Sequence, residues 1–166
     1  MKEYPELLQS SSGKKEAYLN LQVNSSTQVI LPMTQTQEVV VIGKEKITPI
    51  PNMESFVLGL LNQRSQVIWV IDLAAMFNFS PLNLEIANYN IAIISINKKS
   101  LGLAVEAIKG IKQIEPEEIQ SPLGVVNASL VPYLRGCVFE KPSSMYLVLD
   151  AQAFLSGKLT NNPYLN

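Results

Sequence analysis

The same order of short apolar runs passes through this chain twice, and that repetition restricts its fold more than any other feature. In the first half, Leu19, Leu21 and Val23 recur at period two. Asn24-Ser25-Ser26-Thr27 then supplies turn chemistry, Val29-Ile30-Leu31 returns, and the β-branched run of residues 38–42 follows. In the second half, residues 90–96, the turn Asn97-Lys98-Lys99-Ser100, residues 101–105 and residues 108–114 repeat the sequence of events. Both halves close alike. Gly59, a polar turn, an apolar strand over 67–71, Asp72 and Leu73-Ala74-Ala75-Met76-Phe77 correspond to Gly136, Lys141-Pro142-Ser143-Ser144, a strand over 145–149, Asp150 and Ala151-Gln152-Ala153-Phe154-Leu155.

Between hairpin and closing strand, Ile47-Thr48-Pro49-Ile50-Pro51 must be extended, because each proline pushes its predecessor out of the helical region; such a segment typically lies along a surface. Its counterpart, Ile114-Glu115-Pro116-Glu117-Glu118-Ile119, reads as a proline-led helical turn. About five short strands and one brief helix per half are too few for a large sandwich, so each unit is expected to close on itself as a small barrel. The expected class is all-β: a first barrel over 16–80 and a second over 88–156, packed together, with their ends open to exchange. Residues 1–15 and 157–166 read as a polar arm and a tail. At 166 residues and 47% hydrophobic, the chain can bury a real core.

The chemistry is sparse. There is no histidine, which removes the side chain most used as a general base near neutral pH and a frequent metal ligand. The eight glycines form neither a dinucleotide fingerprint nor a phosphate loop. Glu115, Glu117 and Glu118 read as solvated charges on a helical turn rather than a catalytic pair. No catalytic residue, metal site or cofactor is expected. A net charge of −1 with scattered Lys and Arg argues against a nucleic-acid or anionic-membrane surface. The single cysteine, Cys137, precludes an internal disulfide and reads as a buried thiol. No apolar run approaches the roughly 18 residues of a membrane span, and the first residues carry no apolar signal core, so the chain is expected in the cytoplasm.

Asp72 and Asp150, each ending an apolar strand before a helix, read as helix caps. Trp69 alternates with Ile68 and Val70; outward it would be an interaction anchor, inward it would be core, and the inward placement is the expectation. Arg64 sits in the turn of the stretch from Phe56 to Phe77 with no evident internal partner. On residues alone it is a solvated turn charge, but the Asn62–Arg64 turn does not recur in the second half, which favours a contact with a partner.

These residues carry a resemblance. Gly59 followed by Asn62, Arg64 and Ser65, then Val67-Ile68-Trp69-Val70-Ile71-Asp72-Leu73, resembles the CheW family of chemotaxis coupling proteins. Val29-Ile30-Leu31-Pro32 before Glu38-Val39, Leu101-Gly102-Leu103-Ala104-Val105 and Tyr133-Leu134-Arg135-Gly136 support it, over about residues 17 to 156. The resemblance implies two SH3-like five-stranded barrels with a shared apolar interface and no catalysis. It also implies two partners: the cytoplasmic tip of a methyl-accepting receptor and the regulatory domain of a CheA-type histidine kinase. Arg64 and Asn62 match the family's turn and Glu38 its acidic strand position, with Thr36 on the same edge. Ser65 stands where the family usually has Gly, and Trp69 where it often has Pro. Divergent members serve phototaxis or type IV pilus motility. The alternative reading is a barrel that binds a small ligand or an oligonucleotide.

Overall fold

The computed structural model describes residues 14–83, 85–141 and 143–155; the expected arm, all but Lys14 and Lys15, and the expected tail lie outside the described residues. The first half forms β1 (Glu16–Asn24), β2 (Thr27–Pro32), β3 (Thr36–Gly43), β4 (Ile47–Thr48), β5 (Val57–Gln63), β6 (Gln66–Asp72) and the short helix α1 (Leu73–Met76). The second forms β7 (Asn88–Ile96), β8 (Lys99–Val105), β9 (Ala107–Ile114), β10 (Leu134–Lys141), β11 (Ser144–Leu149) and α2 (Ala151–Leu155). The proline-led acidic segment is a single 3-10 turn, Pro116–Glu118, with Glu117 and Glu118 exposed.

The halves do not map one to one onto the sheets. One sheet has the order β10-β11-β2-β1-β9 and the other β3-β7-β8-β6-β5-β4. Each half lends its leading hairpin to the other: β1–β2 lies among β9, β10 and β11, and β7–β8 lies among β3 to β6. Each lent hairpin is joined on both sides, by a parallel pairing (β2 beside β11, β8 beside β6) and by an antiparallel one (β1 beside β9, β7 beside β3). The fold is all-β, as expected, and consists of two curled sheets forming SH3-like barrels.

The exchange accounts for strands that are covered on both faces, with a continuous apolar run in β7 and with the polar Asn20 enclosed in β1. Along β1, Leu19, Leu21 and Val23 join the large cluster between the barrels, while Tyr18 joins the interior of its own barrel with Ile30, Val138, Tyr146 and Val148. Along β7, Ala92 and Ile94 face the inter-barrel cluster and Ile91 and Ile93 the other barrel's interior, with Ile68, Val70 and Ala104. A strand covered on both faces tends towards a near-continuous apolar run. Each fully buried Leu or Ile in these layers contributes about 1.5–3 kcal/mol relative to exposure.

The recurring glycines build the barrels. A Cβ on Gly59 would overlap the Thr48 carbonyl oxygen on the neighbouring β4, and a Cβ on Gly136 the Gln120 carbonyl oxygen. Gln120 is bridged to Cys137 by two backbone hydrogen bonds of 2.8 and 2.9 Å. Of the extended proline segment only Ile47 and Thr48 pair, with β5; Ile47 is buried in the barrel, whereas Thr48, Pro49 and Pro51 lie exposed on the surface, as expected.

Candidate partner-binding site

Residues Arg64 and Ser65 form the two-residue loop between β5 and β6, with Gln63 paired to Gln66. Both loop residues have positive φ, 50° and 63°, the geometry that matches the twist of a tight hairpin. Arg64 does have an internal partner, which corrects the sequence expectation. Its Nε donates to both carboxylate oxygens of Glu38 on β3, at 3.1 and 3.2 Å. The pairing was hidden because β3 and β5 lie near opposite ends of their sheet; only the curl of that sheet brings β3 to the hairpin tip. Gln63 Nε2 adds a long hydrogen bond of 3.5 Å to Glu38. The Arg64 side chain is 75% exposed and that of Glu38 18%.

Of the other expected site residues, Asn62 is exposed on β5, adjoining this turn. Thr36 is half-buried and donates its hydroxyl to the Pro32 carbonyl at 3.1 Å, so its donor is engaged within its own segment. Sequence reasoning missed the polar ring beside the tip. Gln37 donates to Gln66 (3.4 Å), Gln66 to Ser100 (3.1 Å), and Ser100 back to Gln37 (3.1 Å), linking β3, β6 and β8. The one available signal was a polar residue at the mouth of each hairpin.

The other barrel closes across its edge strands differently. Lys112 on β9 pairs with Glu140 on β10 at 2.6 Å and lies 4.5 Å from the centre of the Tyr146 ring. The Glu140 bond is the main influence that raises the pKa of Lys112. That lysine is clamped, with 22% of its side chain exposed, whereas Arg64 is presented.

Trp69 is not inward. Ile68 and Val70 are 1% and 0% exposed inside the barrel, and Trp69 lies half-buried on the opposite face, packed against the edge of the inter-barrel cluster. Asp72 caps α1 as expected, accepting from the Ala75 N–H at 3.2 Å. It also accepts from the Leu82 N–H at 2.8 Å, tying the following loop to the helix. Asp150 accepts from the Gln152 N–H at 3.1 Å. Cys137 is fully buried, and burial raises its pKa, keeping the thiol protonated. Among the described residues no three His, Cys, Asp or Glu side chains are grouped to hold a metal ion, and no helix is long and apolar enough to cross a membrane.

Fold and site define a double barrel with filled interiors, whose candidate groups are displayed at a hairpin tip. The chain belongs to the family of the CheW-like domain, whose model matches residues 17–158. It is 26% identical over 121 residues to the chemotaxis protein CheW of Treponema pallidum, covering 71% of each chain. It is 27% identical over 114 residues to a probable chemotaxis protein CheW of Rhizobium etli, covering 69% of this chain and 72% of that one. The crystal structure of the scaffolding protein TtCheW from Thermoanaerobacter tengcongensis shares the fold, with a TM-score of 0.73 at 21% identity, over 88% of this chain and 96% of that one. Proteins of this family are non-catalytic scaffolds, and this chain is not an enzyme.

Proposed function

We propose that the chain is an adaptor that couples the cytoplasmic tip of a methyl-accepting receptor to the regulatory domain of a CheA-type histidine kinase. It would act in the cytoplasm, in chemotaxis or in a related phototaxis or type IV pilus motility system. Family membership supports the adaptor role, and the Glu38–Arg64 pair carries the assignment of the contact. An exposed ion pair of this kind contributes at most about 1 kcal/mol to folding, so stability is a weak reason for it. Its bonds to Glu38 use Nε, which leaves the terminal amino groups of Arg64 with donors for a carboxylate or carbonyl of a partner. The small-ligand alternative is not favoured, because side chains fill both barrel interiors, and the oligonucleotide alternative is not favoured by a net charge of −1 and 7% aromatic residues.

The test is titration of the purified chain with the receptor-tip fragment and the kinase regulatory domain of its own system. Arg64→Glu is expected to weaken one of the two complexes roughly tenfold or more, since it replaces a donor by a charge that also repels Glu38. The exchanged pair Glu38→Arg with Arg64→Glu restores the internal bridge but not the binding. Wild-type chain that binds neither partner would overturn the adaptor reading; an unchanged Arg64→Glu titration would remove the contact from this hairpin.

A further inference from the structure

Resting on the adaptor reading, we infer that Trp69 is a specificity-determining anchor, seating an apolar side chain of a receptor-tip helix that carries carboxylates one turn away. The tips of β5–β6 and β7–β8 lie side by side, because Gln66 just after the first tip bonds Ser100 just after the second. Next to this joint a cleft of about 260 Å³ is lined by Val67, Trp69, Leu155, Lys98 and Lys99. Val67, two residues from Trp69 on the same face of β6, is 65% exposed, so the two form an apolar strip running from the inter-barrel cluster into solvent. A strand displays alternate residues on one face, which gives the strip a defined spacing.

The rim of the cleft is cationic. Lys98 occupies the second position of the β7–β8 turn with φ 68°, and Lys99 follows it; both are exposed and form no ion pair with a carboxylate among the described residues. Two cations thus border one half-buried indole. Charge complementarity therefore selects an acidic partner. An amphipathic helix presents an apolar residue and acids three or four positions away on one face, which suits a narrow apolar strip with a cationic border. Half-buried aromatic side chains beside a polar rim are the groups on which binding energy concentrates. The proline that the family often carries at this position offers no comparable ring to fill the cleft.

Trp69 is the only tryptophan in the chain, so its fluorescence reports this cleft directly. The full chain is titrated with the receptor-tip fragment and, separately, with the kinase regulatory domain. Emission is expected to shift to shorter wavelength as the receptor fragment saturates and to stay unchanged with the kinase domain. Trp69→Ala is expected to weaken receptor binding roughly tenfold or more. Lys98→Ser with Lys99→Ser, a surface change that leaves the apolar layers intact, is expected to weaken it several-fold and flatten its salt dependence. Kinase binding stays at the wild-type level in both variants. Receptor binding with unchanged Trp69 emission, or wild-type affinity in the lysine variant, overturns the inference and leaves the adaptor reading standing. An emission shift that follows the kinase domain, or the chain's own concentration, gives the cleft to another occupant and equally overturns it. Loss of wild-type binding to both partners removes the adaptor reading itself.

Discussion

Two aspartates in matching positions do unequal work. Asp72 is 3% exposed and satisfies two backbone N–H groups, one in α1 and one in the loop beyond it. Asp150 is half-buried, and its side chain serves the N–H of Gln152. Removing a buried acceptor strands its donors at about 1–3 kcal/mol each, whereas losing a more open cap costs about 1 kcal/mol. Asp72→Ala is therefore expected to lower the stability by about 2–4 kcal/mol and Asp150→Ala by about 1, read as the difference in urea midpoints at constant slope. Equal losses would mean that the Leu82 bond contributes nothing. The capping role was legible in the sequence from an Asp at the end of an apolar strand. The second bond was not, because Leu82 lies ten residues away in a loop whose path is set by packing.

Hairpins are the elements that carry the candidate site, and their turns were legible while their neighbours were not. Arg64-Ser65 and Asn97-Lys98 both place two residues at positive φ without a glycine. A non-glycine residue in that region costs about 1–2 kcal/mol. Ser65, at φ 63°, occupies the position where the family usually has Gly. Ser65→Gly is thus expected to gain about 1 kcal/mol and raise the midpoint of thermal unfolding by about 2–4 °C, without altering the Arg64–Glu38 pair. A lowered midpoint would show that the Ser65 side chain makes a contact worth more than its backbone strain. The same alternation that places Trp69 opposite Ile68 and Val70 was visible in the sequence. Which of the two sets enters the barrel depended on the direction in which the whole sheet curls, and that sheet is completed by β7 and β8 from the other half.

Across the whole molecule, the exchange of leading hairpins makes the two barrels interdependent. Neither sheet is complete without strands from both halves, and the largest apolar cluster lies between the sheets. Chains comprising residues 1–83 and 84–166 are expected to lack dispersed amide spectra when separate, and to acquire them on mixing, as each supplies the hairpin the other needs. A folded spectrum from either alone would show that one half can close a barrel unaided. Local patterning carried the repeat, the alternating strands, the glycines and capping aspartates, and hence the two-barrel class, because period, turn chemistry and backbone freedom act over a few residues. Tertiary structure decided which hairpin entered which sheet, that Glu38 meets Arg64, and that Trp69 stands at a cationic cleft. Those contacts join segments 26 or more residues apart, and only the curl and stacking of whole sheets selects among the pairings that local pattern allows.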